Sequence, residues 1–556
     1  MKKTFGNKLI AVLCVVALLC GLLVGCGGKE NQNQAGNDNT KEDNKNLHIM
    51  IYAKGYGSDW MFALEKAFEK KYEGVNVEIT LCNTADVLHN DLKNGKNSKT
   101  DLYFDCQVGN GPHGMVEDNK AAYNNGQAMR DLTYLMNTKI PGEEKTLGEK
   151  MNVSLKNSFR IDGRDTADAT DDTYYALPYL TDATGIYYNE TVIDNALGKG
   201  KWEVPNTTDE LIALCEKLKA KDCHMLLAGG LDTWAGSMFL EWWAQYEGLE
   251  NYYKFFDGVG YDATRGREAA NSRLIFEQPG RLASYETSYD VLSYESGYTL
   301  RNSAEIGVNS LNEYQTRFTL SKNKYALYPC GGWLSQEVKN NTTIESDSVI
   351  KMMKTPVISS IIESTNSYSN DKTKRLPNIT SDAVLSQVID YVDGKGTLPA
   401  GVTEAEVAVV KEARSLYSSY AIEHIVYAPE FSNAKKLADE FLLFMASDEG
   451  IQIFKDNCIG GFSAYELSTD YNTEGWNATE LSLYEISKEA IYIDDFKYHP
   501  IFRSAGVSAV TDGGADTLDG LLCRPKGKTG KEIYQGIIDT YSNAVWKNII
   551  SQISTK

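Results

Sequence analysis

The sequence predicts an α/β chain built in two α/β halves. Three observations carry this: a strand–helix–strand unit within residues 47–81, a second strand-and-helix series beginning near residue 180, and the length. At 556 residues the chain is too long for one ordinary domain and suits two or three, or one two-lobed module. Hydrophobic residues make up 42% of it and charged residues 24%, enough for a substantial core.

Taken in order, Met1-Lys2-Lys3 and the apolar run from Leu9 to Val24 read as a secretory leader, residues 1–25. Leu23-Val24-Gly25-Cys26 resembles the bacterial lipobox. That resemblance implies cleavage before Cys26 and a diacylglycerol on its sulfur; the alternative is an uncleaved anchor with an incidental cysteine. The tract from Cys26 to Asn46 is polar, with Ala35 its lone apolar side chain after the two glycines, so it is expected to be a disordered tether. Its reach is about 25 Å, from roughly 5–6 Å times the square root of its length. The chain has ten cysteines. Beyond Cys14, Cys20 and Cys26 an odd number remains, so at least one is unpaired, and no CxxC pair exists. The six histidines are scattered. Neither a metal nor a cofactor is expected.

Leu47–Tyr52 is an apolar strand broken by Gly55-Tyr56-Gly57. Ser58 or Asp59 then caps a helix with Met61, Leu64, Phe68 and Tyr72 on one face, stopped by Gly74. Val75, Val77, Ile79 and Leu81 alternate as the next strand, and such a unit implies parallel pairing. A short strand follows at Asp101–Phe104. An acidic stretch, Asp165–Asp172, precedes Tyr174–Tyr179 and Gly185–Asn189. Thr207-x-x-Glu210 reads as a capping box opening a helix with Leu211, Leu214, Cys215 and Leu218 on one face. Asn433–Met445 is a helix buried through Leu437, Phe441 and Phe444, and Ser447–Gly450 opens another. Ile533, Ile537, Tyr541, Val545 and Ile549 predict one long amphipathic C-terminal helix. Residues 363–418 start polar and continue as two helices with no evident role.

Acids outnumber bases by 76 to 56, a net charge of −20, and no basic run exists. The electrostatic footprint of a nucleic-acid binder is therefore missing. A single long apolar stretch at the N-terminus excludes an integral transporter.

Several ordered segments share one resemblance. They are Gly55-Tyr56-Gly57-Ser58-Asp59-Trp60, Ala176-Leu177-Pro178-Tyr179, Tyr187-Tyr188-Asn189, and Trp202 with Pro205–Leu211. Tyr328-Pro329-Cys330-Gly331-Gly332-Trp333, Asn433–Lys436 and Phe441–Ser447 complete the series. Together with Cys26, their order resembles the extracellular solute-binding lipoproteins of bacterial ABC importers, in the carbohydrate-binding group (family 1 type). The acidic stretch near 165–172 and the excess at 363–418 depart from that pattern. The resemblance implies a periplasmic-binding-protein-like fold: two α/β lobes, a hinge of two or three crossings, and an interlobe ligand cleft that closes by hinge motion. Lobe 1 would comprise 47–180 plus 356–458, with the insertion at 363–418, and lobe 2 would comprise 181–355 plus 459–556. It further implies a monomer held outside the cell membrane through acylated Cys26, which binds a carbohydrate, oligosaccharide-sized, and passes it to ABC permease subunits without catalysis.

A sugar has hydroxyls at its edges and C–H faces above and below the ring. Its site therefore needs flat aromatic rings together with carboxylates, amides or backbone N–H groups. Ligands of open α/β sheets sit beyond the carboxyl ends of strands. The first such loop has Tyr56, Gly57 and Trp60, though Trp60 could instead pack on the helix it opens. Asp105 suits two hydroxyls, or else a cap or solvated position. Tyr179 and Asp182 flank the presumed hinge. Trp234 follows the glycine-rich loop 228–233, whereas at least one of Trp242 and Trp243 belongs to the core. Gly331 and Gly332 would let backbone approach a ligand, and the family motif implies Trp333 under a sugar ring. Phe462, after Gly460-Gly461, would complete the cleft. Two other readings stand beside this one: a secreted, lipid-anchored glycoside hydrolase, which needs two carboxylates about 5–9.5 Å apart, and a binding protein serving a sensor or chemoreceptor. No G-x-S-x-G, HExxH or P-loop sequence is present.

Overall fold

A computed structural model describes residues 44–106, 129–159, 173–227, 234–300, 310–341, 346–420, 423–493, 499–503, 505–511 and 517–553. The segment expected to be a leader, Cys26 with its expected acylation, most of the expected tether, the acidic stretch and the 228–233 loop lie outside the described residues. The strands are β1 (Asn46–Ile51), β2 (Asn76–Leu81), β3 (Leu102–Asp105), β4 (Leu177–Pro178), β5 (Leu180–Thr181), β6 (Thr184–Asn189), β7 (His224–Leu226) and β8 (Gly260–Asp262). They continue as β9 (Arg267–Ala269), β10 (Thr299–Leu300), β11 (Tyr325–Gly331), β12 (Ile350–Met352), β13 (Leu416–Ser418), β14 (Ile425–Tyr427), β15 (Phe462–Ser463) and β16 (Ile491–Ile493).

Two five-stranded mixed sheets organise the chain, in the orders β2-β1-β3-β14-β4 and β10-β7-β11-β6-β12. In the first, β1 runs parallel to β2 and β3 as the strand–helix–strand pattern predicts, while β14 enters antiparallel to β3 with Ile425 opposite Asp105. Leu47, Ile49 and Ile51 alternate inward, and Met61, Leu64 and Phe68 of the Asp59–Lys71 helix are buried with them. In the second sheet β6 is antiparallel to both β11 and β12. This is the two-lobed, periplasmic-binding-protein-like fold, and no helix among the described residues is long and apolar enough to cross a membrane.

Chain crossings between the sheets define the hinge. The chain leaves the first sheet through Tyr179–Thr184 and returns through β13 and the residues before β14. It crosses again at Cys458–Ser463, where β15 pairs with β5, before the Ala478–Ser487 helix lies along β12. The return was expected near 356. Residues 357–413 instead stay on the second core: Val357, Ile361, Leu376, Leu385, Val388, Ile389 and Val410 are buried with Leu211, Leu214 and Trp242. The 363–418 excess, up to residue 413, is therefore a cover for the second core rather than part of the first, and its last residues form the crossing. The apolar faces of the Asp382–Val392 and Glu404–Ser415 helices require that burial.

Two local expectations are corrected. Thr207 does cap its helix, its hydroxyl accepting the Glu210 N–H, but Glu210 takes the N–H of Asn206 rather than of Thr207. The C-terminal run is two helices, Gly530–Thr540 and Asn543–Ile553, with Tyr541 between them at φ −90°, ψ 45°. The Trp546 N–H bonds to the Ser542 carbonyl there, restarting the helix.

Candidate functional site

A cavity opens where the residues following β1, β3 and β11 meet those preceding β14. Its walls are Lys54, Gly55, Tyr56, Cys106, Trp234, Leu311, Trp333, Glu337, Tyr420, Glu423 and His424, around a cavity volume of about 70 Å³ that opens to solvent. The wall is aromatic. Trp234 and Trp333 meet edge to face with centroids 4.7 Å apart, and Tyr420 packs on Trp234 at 5.1 Å and on Trp333 at 5.9 Å. Tyr56 stands perpendicular to Trp333 at 6.1 Å. Two side chains on this wall sit on left-handed backbone, Lys54 at φ 39° and Trp234 at φ 50°. Non-glycine residues hold that conformation at a cost and only where the surroundings impose it, and such residues cluster at functional sites.

The double glycine has a packing reason. A Cβ on Gly331 would lie 2.1 Å from the Trp333 ring, so the indole folds over that backbone. A Cβ on Gly332 would lie 2.6 Å from the Gly460 carbonyl oxygen, and one on Gly460 only 1.9 Å from that of Gly332. The two segments thus touch backbone to backbone at the third crossing. Gly55 similarly lets the first loop pack on Trp333 and Glu337, each 3.0 Å from where its Cβ would be.

Behind the wall lies a polar layer. Asp182 is 1% exposed and accepts the Tyr56 hydroxyl at 2.9 Å, the Ser419 hydroxyl at 3.0 Å and the Tyr420 N–H at 3.1 Å. Burial pushes its carboxyl up, against those three donors. Burial foremost, then the charge of Asp182, pushes the Tyr56 hydroxyl well above its ordinary value, so it remains the donor. Tyr179 reaches the Nδ1 of His424 at 3.1 Å. Burial, and to a lesser degree Lys54, pushes His424 down to about 3, so the ring is neutral at physiological pH. The Cys106 thiol is held protonated by burial and by Asp105, which leaves it a poor nucleophile.

Of the side chains singled out from sequence, Tyr56, Trp234 and Trp333 line the cavity. Tyr179 and Asp182 stand one layer behind and hold His424 and Tyr56. Gly57, at φ 66°, accepts the Trp60 indole N–H. Trp60 is fully buried and stacked on Tyr179 at 5.3 Å, so it belongs to the core of the first lobe. Asp105 is also buried, bonded to His89 at 2.6 Å and to the N–H of Cys106, and does not line the cavity. Phe462 packs with Tyr471, Trp476 and Tyr484 under the Lys455 ammonium, again off the cavity wall. Trp242 and Trp243 are both core. Sequence reasoning missed Lys54, Cys106, Leu311, Glu337, Tyr420, Glu423 and His424. The last three precede an antiparallel strand, so a search beyond strand carboxyl ends looks at the wrong end of β14. Among the described residues no group of His, Cys, Asp and Glu could hold a metal ion.

Among the described residues, two α/β lobes joined by three crossings surround the cavity. Residues 53–278 match the family model described as bacterial extracellular solute-binding protein. Similar solved structures include RafE in complex with raffinose, 14% identical with TM-score 0.53, covering 89% of this chain and 100% of that one. A probable secreted solute-binding lipoprotein from Streptomyces coelicolor is 12% identical with TM-score 0.53, covering 90% and 99%. A chitin oligosaccharide binding protein is 14% identical with TM-score 0.51, covering 92% and 100%. At such identities the likeness establishes the fold. No curated protein sequence matches the chain significantly.

Proposed function

We propose that the protein captures a carbohydrate, oligosaccharide-sized, in this cavity and delivers it to an ABC permease from the outer face of the cell membrane, with no bond made or broken. The observation that carries the reading is the wall itself. Trp234, Trp333, Tyr420 and Tyr56 supply apolar ring surface, while Glu337 and Glu423 face the same space as acceptors for hydroxyl protons. That combination matches the C–H faces and hydroxyl edges of a sugar. The named ligands of structural neighbours, raffinose and chitin oligosaccharide, support the same class. The lipobox-like Cys26 supports anchoring through an acylated sulfur.

A thermal-shift screen tests the ligand class. D-galactose, raffinose and chitin oligosaccharides are compared with amino acids and peptides, and each mixture is then analysed for products. A ligand specific to the folded state raises Tm by mass action. A shift with saccharides and an unchanged saccharide pool is expected. A shift confined to peptides or amino acids overturns the sugar, and cleavage products point to the hydrolase.

A further inference from the structure

His424 is 6% exposed, lines the cavity, and was not singled out by any sequence pattern. Its Nδ1 edge is turned to the enclosed hydroxyl of Tyr179, 3.1 Å away. Burial raises that hydroxyl well above the usual tyrosine value, so it keeps its proton. A phenol O–H needs one acceptor, and among the described residues Nδ1 is its hydrogen-bond partner. Tyr179 therefore donates and Nδ1 accepts. A neutral imidazole has a single N–H, so the proton sits on Nε2. Nε2 makes no hydrogen bond to the described residues and, with Nδ1 turned to Tyr179, is the ring nitrogen left to meet a ligand in the cavity that His424 lines.

We propose that His424 is a fixed hydrogen-bond donor of the ligand site: its Nε2–H, locked in that tautomer by the Tyr179 hydroxyl, recognises an oxygen acceptor on the ligand. The inference rests on the cavity being the ligand site and deepens that reading. Glu337 and Glu423 can only accept when ionised, so the ligand donates to them. Opposite His424 the same ligand must accept. A neutral, hydroxyl-rich sugar does both, since each hydroxyl both donates and accepts. An ammonium group placed against Nε2–H, as in an amino sugar bound with its amine there, would meet donor with donor and be rejected. Tyr179 is thus a positioning residue, and its effect travels through the imidazole.

The test has two arms. Nitrogen-15 NMR of the imidazole in the ligand-free protein reads the tautomer directly. Wild type should show a protonated Nε2 and an unprotonated Nδ1, and Tyr179→Phe should show a mixture. A protonated Nδ1 in wild type overturns the proposal. In the second arm, raffinose, D-galactose and chitin oligosaccharide are titrated in turn. His424→Phe should weaken binding about tenfold, the usual worth of one lost hydrogen bond. His424→Gln, whose amide N–H₂ still donates, should recover most of the affinity. Wild-type affinity in His424→Phe, or a bound saccharide that leaves the Nε2 resonance unmoved, overturns the proposal. Absence of binding across the whole saccharide panel would refute the carbohydrate reading, and the free-protein tautomer would still decide whether the locked donor exists.

Discussion

Replacing Glu241 by Gln should abolish a specific loss of stability that develops between about pH 4.5 and about pH 8. Glu241 lies on the Ala235–Glu247 helix with no exposure, its carboxyl accepting the Ser418 N–H at 2.9 Å and the Thr355 hydroxyl at 2.7 Å. Thr184, which starts β6, bonds to the Ser418 carbonyl at 2.8 Å. The end of the first crossing and the start of the second therefore meet over this one carboxyl. Burial pushes it from 4.5 up to about 8, with the hydrogen bonds from the Ser418 N–H and the Thr355 hydroxyl pulling the other way. Between those two pH values the folded chain holds one proton more than the unfolded chain. Stability from this group is thus full below about pH 4.5 and is lost as pH rises through about 8. At about 1.4 kcal/mol per pH unit, that window sets an upper limit of about 5 kcal/mol. Gln is neutral throughout, keeps an acceptor for Ser418 and presents N–H₂ to the Thr355 oxygen. Denaturant unfolding of both proteins at pH 5 and pH 8.5 isolates the effect, because every other titrating group is common to the pair. Glu241→Gln should gain several kcal/mol relative to wild type at the higher pH. Parallel pH curves for the two proteins would mean that the Glu241 carboxyl carries no such proton-linked stability.

Other substitutions probe the wall, the crossing and the anchor. Trp333→Ala removes the ring that contacts Tyr56, Trp234 and Tyr420, and should weaken saccharide binding at least about tenfold in a fluorescence titration. Gly460→Ala adds a Cβ at φ 82° into the Gly332 carbonyl and should lower Tm by several degrees, roughly 1–3 kcal/mol of strain at minimum; an unchanged melt contradicts the backbone contact. Cys26→Ala should move the protein from the membrane fraction to the medium in a fractionation experiment, and retention on the membrane contradicts the lipid anchor.

The parallel part of the first sheet was legible because local rules suffice for it, whereas the antiparallel β14 was not. Leu47–Ile51, the Asp59–Lys71 helix and Asn76–Leu81 form from neighbouring residues whose periodicity is unambiguous. The course of residues 357–413 was not, since an amphipathic helix announces that it has a buried face but not which core receives it. Aromatic content misled in the same way: Trp60 and Phe462 are as flat and as near the strand ends as Trp333, yet their rings pack on Tyr179 and on Tyr484. Asp105 was drawn inward by His89, a partner 16 residues earlier that no spacing rule selects. His424 was invisible because its meaning comes from Tyr179, 245 residues away.

Tryptophan fluorescence of the purified protein, titrated with raffinose and with chitin oligosaccharide beside Trp333→Ala, tests whether the aromatic cavity binds a saccharide. A saturable change is expected in wild type with at least one saccharide, weakened at least about tenfold in the variant. Equal affinity in both proteins, or saturation with peptides or amino acids alone, would contradict it.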